Sequence, residues 1–263
     1  MPDLAPLLGR TLVLVAHPDD ETVGCGALLQ RMREPIVVFA TDGAPEDEFF
    51  WNKYGSRLRY ARVREDEARR ALATIGVSEV KFLGSQPLPS GEGICDQQLH
   101  EHLGDACVRL TTIIRRHRPE AILTLAYEGG HPDHDACGIL GFSMGKHHGL
   151  PVWEFPLYHR NSRESLILQR FVIPDDSYEA VLEITPDELA QKTLMLQAYE
   201  SQQPFLSEFD LNLERFRPQP MYDYAQPPHA GKLNYEVWQW NATGSQVCAS
   251  FKKFLTAFSA AKK

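Results

Sequence analysis

Between residues 10 and 145 the chain alternates short, continuous apolar runs with longer stretches of helical period. Thr11-Leu12-Val13-Leu14-Val15 is too short for a helix and apolar at both alternating positions, the pattern of a strand covered on both faces. Pro35–Ala40, Glu79–Leu83 and Ala121-Ile122-Leu123-Thr124-Leu125, the last opened by Pro119, repeat that pattern. Between them, Thr22–Met32 begins with small residues, and Ser56–Gly76 carries Ala68, Ala71, Leu72 and Ile75 at helical spacing. Leu99, Leu103, Ala106, Leu110 and Ile113 predict an amphipathic helix from about Asp96 to His117. Strands alternating with helices define an α/β chain, with a Rossmann-like, mostly parallel sheet and helices on both faces.

Beyond residue 150 the rhythm changes. Val152–Leu157 and Tyr178–Ile184 read as strands, and Thr185-Pro186-Asp187-Glu188 is a capping box opening a helix to about Tyr199. Residues 201–234 carry several prolines among aromatics with little periodicity. Such a length without regular structure suggests a lid, a rim or a subunit contact, which leaves a homo-oligomer open. The expected organisation is a single domain over 1–263, with a core at 1–150 and a C-terminal extension at 151–263.

Composition narrows the partners. A net charge of −8 and the lack of a Lys/Arg block argue against a nucleic-acid surface. Lys252, Lys253, Lys262 and Lys263 read as a solvated helix end. Met1–Arg10 has no basic signal-peptide region, and no apolar run is long enough to cross a bilayer, so a cytoplasmic chain without stable membrane insertion is expected. The five cysteines show no CxxC or Cys/His spacing and are read as reduced thiols.

Two polar clusters sit where the sheet's carboxyl edge should be. Ala16-His17-Pro18-Asp19-Asp20-Glu21 follows the first strand, and Gly129-Gly130-His131-Pro132-Asp133-His134 follows the strand at 121–125. In open α/β sheets that edge is where ligands bind. His17 and Asp20, three apart in a tight or first helical turn, share a face. With His134 they form a three-ligand set of the catalytic-zinc type, leaving room for water. A metal there lowers the pKa of its water to about 7 and polarises a carbonyl. A nearby carboxylate, with Asp19 the candidate, can take the water proton, although spacing alone does not decide between Asp19 and Asp20. His131, protonated and steadied by Asp133, can stabilise the oxyanion and support the leaving amine. The competing structural reading makes these carboxylates helix N-terminal groups favoured by the macrodipole. However, adjacent buried carboxylates are hard to keep ionised without a cation. His100, His102, His117, His147, His148, His159 and His229 lack a paired motif, and surface placement is expected for most.

At these residues the sequence resembles the PIG-L/LmbE-like family of zinc-dependent de-N-acetylases. The resemblance rests on Ala16–Glu21 and His131–His134. It extends to Thr41-Asp42-Gly43, to Arg64-x-x-Glu67-x-x-x-Ala71 running into Ile75-Gly76, and to Lys192 and Tyr199-x-Ser201-Gln202. It implies an LmbE-like fold and one zinc ion per chain on His17, Asp20 and His134, with other divalent ions accepted. It also implies Asp19 as general base, His131 as charged partner of the intermediate, and Arg64 and Asp42 near the sugar hydroxyls. Two departures stand out. Gly129 occupies the place of a Tyr that some members carry two residues before the second motif, with Tyr127 further back. The loop Gly84–Gly93 lacks the Asp that many members place soon after the third strand.

The expected activity is removal of acetyl from an N-acetylated amino sugar or small glycoconjugate. The alternatives are a metal-dependent hydrolase of a longer N-acyl group or a phosphoester, and a non-catalytic sugar- or nucleotide-binding module.

Overall fold

The computed structural model describes residues 2–88, 93–175 and 177–260. Part of the Gly84–Gly93 loop therefore lies outside the described residues. The strands are β1 (Thr11–Val15), β2 (Ile36–Phe39), β3 (Val80–Phe82), β4 (Ala121–Leu125), β5 (Val152–Phe155), β6 (Tyr158–Arg160), β7 (Leu166–Leu168), β8 (Ala180–Val181) and β9 (Arg215–Pro218). The helices are α1 (Asp20–Arg31), α2 (Glu48–Trp51), α3 (Arg57–Thr74), α4 (Leu103–His117), α5 (Pro132–His148), α6 (Pro186–Gln197), α7 (Gln203–Leu206), α8 (Asn234–Val237) and α9 (Gly244–Ala260).

The main sheet runs β3-β2-β1-β4-β5-β9-β8. β1 pairs in parallel with β2 and β4, β2 with β3, and β4 with β5; β9 and β8 are added antiparallel. Every residue of β1, β2 and β4 is buried, as the unbroken apolar runs require. The strand order reverses direction between β1 and β4, which opens a crevice at their carboxyl ends. The two His/Asp clusters flank that crevice.

Small residues let α1 lie close to the sheet. A Cβ on Gly24 would fall 2.0 Å from the Phe155 ring. Inside α1, Cys25 leaves helical geometry (φ −149°, ψ 23°). The amides of Ala27 and Leu28 instead donate to the buried Glu214 carboxylate, at 2.7 and 3.0 Å. Lys192 of α6 neutralises that carboxylate at 2.8 Å. The C-terminal extension thus completes a helix of the core.

Three sequence expectations are revised. The helix expected from Asp96 begins at Leu103, after a short tight turn at Leu99–Glu101. The cause is Asp133, whose carboxylate captures the amides of Gln97 and Leu99 at 2.6 and 2.9 Å and competes with helical bonding. Residues 201–234 are not structureless: α7 and β9 lie within them, and β9 joins the main sheet. The strand expected over 178–184 shortens to β8. Among the described residues, no helix is long and apolar enough to cross a membrane.

Candidate metal centre and active site

The turn after β1 is built around Asp20. Its Oδ2 accepts hydrogen bonds from the amides of Ala16 (3.1 Å) and His17 (2.8 Å), which tie the start of α1 to the strand end. The same carboxylate lies between two imidazoles, 3.5 Å from His17 Nδ1 and 3.2 Å from His134 Nε2. His134 sits in the first turn of α5, whose N-cap is His131. The rings of His17 and His134 are 5.3 Å apart between centroids. The crossover at the sheet's switch point therefore brings together residues 114 positions or more apart in sequence.

The donor types suit a divalent ion, whose tetrahedral bonds of about 2.0–2.2 Å would place neighbouring ligand atoms roughly 3.3–3.6 Å apart; the two imidazoles meet different oxygens of Asp20, Oδ2 for His17 and Oδ1 for His134. His17 Nε2 faces Asp133 Oδ2 at 3.1 Å, so a proton there leaves the Nδ1 lone pair turned toward Asp20. Carboxylates commonly fix metal-ligating histidines in this way. Among the described residues, His17, His131 and His134 bring donor atoms within 4.8 Å of one another, as do His17, Asp96, His131 and Asp133; Asp20 belongs to neither group.

The electrostatics follow from burial and crowding. Burial opposes charge on Asp20, but His134 and His17 hold its carboxyl well below the usual range. Burial also opposes charge on His17; the carboxylates of Asp96, Asp133 and Asp20 outweigh it and raise the imidazole well above its ordinary value. Burial pushes the Asp19 carboxyl well above the carboxylate range, with Arg64 pulling the other way and Asp20 adding to the push. Asp19 lines the cavity, and its Oδ2 accepts from Arg64 Nη2 at 3.0 Å. Arg64 also donates to the carbonyls of Gly43 (2.6 Å) and Pro18 (2.7 Å), so it both faces the cavity and holds the turn.

Three of the expected site residues have contacts that the sequence did not indicate. Asp133 is fully buried and serves His17 and the Gln97–Leu99 turn; its carboxylate is 3.9 Å from His131 Nδ1. The carboxylate beside His131 is Asp96, 3.1 Å from Nε2. His131 Nδ1 accepts the Asp133 amide at 3.1 Å, which requires Nδ1 to be unprotonated. Burial, followed by the neighbouring His17, lowers this imidazole to about 4. Asp42 does not line the cavity, since its carboxylate is engaged by Arg57 (2.6 Å) and the Ala44 amide (3.0 Å). Tyr127, a candidate for the missing Tyr, hydrogen-bonds Gln226 and packs on Tyr224, away from the cavity.

Other site residues were not visible as motifs. Asp96 lies three residues beyond the Gly84–Gly93 loop; the Ile94 amide bonds Gly84, which returns the chain to the sheet edge. Tyr158 packs on His134 at 5.2 Å, and Trp240 packs on His131 at 4.6 Å. Gly130 permits the first approach, because a Cβ there would meet the Tyr158 carbonyl at 1.8 Å. Phe205, Trp238 and Phe49 continue the aromatic wall around a cavity of about 500 Å³. His100 and His159 are buried, contrary to their expected surface placement.

A mostly parallel sheet with His17, Asp20 and His134 at its switch point, the buried Asp19 beside them and a cavity above is an α/β fold with a candidate metal site at its carboxyl edge. Residues 12–144, just over half the chain, match the family PIG-L: GlcNAc-PI de-N-acetylase, and the chain belongs to that family. It is 27% identical over 239 residues to a 1D-myo-inositol 2-acetamido-2-deoxy-alpha-D-glucopyranoside deacetylase of Salinispora arenicola, covering 74% of this chain and 77% of that protein. A protein of Catenulispora acidiphila, deacetylase 2 of the same name, is 32% identical over 146 residues, covering 48% and 47%. For most of the curated relatives it matches, the chain spans about half their length. A crystal structure of a deacetylase triple mutant of the teicoplanin biosynthetic pathway superposes with a TM-score of 0.62, covering 81% of this chain and 99% of that one at 20% identity. That likeness is one of fold.

Proposed function

We propose that the protein is a metal-dependent amidohydrolase that removes acetyl from an N-acetylated amino sugar or small glycoconjugate, releasing acetate and a free amine. The observation that carries this reading is Asp20 placed between His17 and His134, with Asp19 next to it in the chain and on the cavity. His17, Asp20 and His134 would hold the ion, with zinc the best match to the donor set. When bound, such an ion polarises the acetyl carbonyl and makes water nucleophilic near neutral pH.

The protein's own groups do the rest. Asp19, raised by burial and aimed by Arg64, takes the proton from the attacking water and returns it to the departing amine. His131, whose Nδ1 accepts the Asp133 amide, lines the cavity and is the group we assign to the charge that develops on the carbonyl oxygen. Asp96 lies beside His131 on the cavity wall. Tyr158 and Trp240 cover the two imidazoles and limit water access. An N-acetylhexosamine fills about half of the cavity at the packing density of organic crystals, so the aromatic wall has room for a substituent on the sugar. The family match and the relatives named for deacetylating a 2-acetamido sugar support this substrate class.

The test is amine and acetate release by the zinc-loaded chain from a panel of N-acetylglucosamine conjugates. Release from at least one is expected. No release from any, by folded and metal-loaded protein, overturns the proposal.

A further inference from the structure

Asp19 stands in an unusual backbone conformation, φ 124° and ψ −30°, the most extreme positive φ of any non-glycine residue described. Residues other than glycine persist in such regions only when their surroundings over-determine them. Its side chain is gripped by Arg64 of α3. Its backbone is gripped separately. The Asp19 amide donates to Glu21 Oε2 at 3.2 Å, and its carbonyl accepts from Thr22 and Val23 at 3.0 and 3.1 Å. Glu21 is itself fully buried. Its Oε1 accepts from the Thr22 hydroxyl at 2.6 Å and from the Tyr199 hydroxyl at 2.5 Å. Tyr199 is also fully buried and follows α6, in the C-terminal extension. The next residues latch to α3: Ser201 donates its amide (2.8 Å) and hydroxyl (2.6 Å) to Glu67, and Gln202 donates to the Tyr60 hydroxyl (2.6 Å).

From this geometry we infer that Glu21 and Tyr199 are positioning residues that hold Asp19 in its strained, cavity-facing conformation. The C-terminal extension then does more than wall the cavity: through one phenol it fixes the backbone of the proton-accepting residue. A buried carboxylate serving only as an ordinary helix cap has no need of a partner 178 positions away. Arg64 orients the Asp19 carboxylate, and the Tyr199–Glu21 pair sets where that carboxylate starts from. Misplacement of a reacting group by about 1 Å costs on the order of a hundredfold in rate. The inference rests on the reading of Asp19 as the base.

The experiment uses the full zinc-loaded chain with Tyr199→Phe and Glu21→Gln. Phenylalanine keeps the ring and removes only the hydroxyl, so folding should survive. Glutamine keeps one carbonyl oxygen to accept the Asp19 amide. The expected result is a kcat lowered about tenfold for Tyr199→Phe and more for Glu21→Gln, with KM within about threefold of wild type and zinc stoichiometry unchanged. Amide hydrogen exchange at Asp19, read with or without any substrate, should speed up about tenfold in both variants. Wild-type kcat and wild-type exchange in both variants overturn the inference. So does a kcat that returns to normal once corrected for folded, metal-loaded protein. If the wild type hydrolyses no N-acetyl sugar, the functional proposal fails while the exchange measurement still judges the positioning.

Discussion

Replacing Asp20 with Asn separates a metal ligand from a loop cap. One oxygen of Asp20 accepts two backbone amides, those of Ala16 and His17; the other faces His134. An Asn side chain can turn its oxygen to those amides and keep the turn. Its NH2 then points at His134, where an ion would sit, and the only negative charge among the three ligands is gone. Loss of a group that merely supports a ligand weakens metal binding about 10–100-fold, so loss of the ligand should weaken it on the order of a thousandfold, about 4 kcal/mol at 1.4 kcal/mol per decade. Competition with a chromophoric chelator measures the zinc Kd, and circular dichroism checks that the fold is retained. A folded Asp20→Asn chain binding zinc within threefold of wild type would show that Asp20 does nothing but cap the turn, and the ligand assignment would fall.

Asp19→Ala should keep wild-type zinc content while kcat falls about 10²–10⁴-fold, the range for losing a general base; near-normal turnover would remove Asp19 from that role. Chelation should abolish turnover and lower the melting temperature, because an ion bound at 100 times its Kd adds about 2.7 kcal/mol of stability; zinc should restore both, and an unchanged melting curve would contradict a built site. Trp238→Ala should lower the ratio of kcat/KM for an aryl glycoside over free N-acetylglucosamine about tenfold, and an unchanged ratio would mean that the aromatic wall contacts no substrate. Glu188 receives two hydrogen bonds from Arg31, at 2.6 and 2.7 Å, and caps α6. Those bonds lower its carboxyl from 4.5 to about 2. Its contribution is thus present above pH 4.5 and disappears as pH falls toward about 2. Glu188→Gln should cost about 1 kcal/mol at pH 7 after allowance for solvent screening, with the gap closing through that acid window in urea titrations. A pH-independent gap would contradict the ion pair.

The core of the fold was legible because each central strand is buried on both faces, so Thr11–Val15 and Ala121–Leu125 appear as unbroken apolar runs. The clusters at their ends placed His17, Asp20 and His134 at one crevice for the same reason: parallel strands all end on one edge. Long-range partnership was not legible. No local pattern reveals that Asp133 turns to His17 and to the amides of Gln97 and Leu99, or that Asp96 takes the place beside His131. Apolar periodicity carried the expected helix back to Asp96, because Leu99 is buried in phase with Leu103 although the turn between them is not α-helical. In the extension, β9 contains two arginines and a proline and lacks the apolar alternation of a strand. Arg217 is accommodated in the sheet by the buried Glu154 at 2.8 Å. Only the family resemblance points Asp42 toward the substrate, and in the structure Arg57 engages its carboxylate.

Anomalous diffraction from crystals of the zinc-loaded chain tests the central claim most directly. A single peak is predicted about 2.0–2.2 Å from His17 Nδ1, an Asp20 oxygen and His134 Nε2, with Asp19 beside it and not coordinating. A peak seated on His131 and Asp96 with Asp20 left on its backbone amides, or no peak between the two histidines in fully loaded protein, would contradict it.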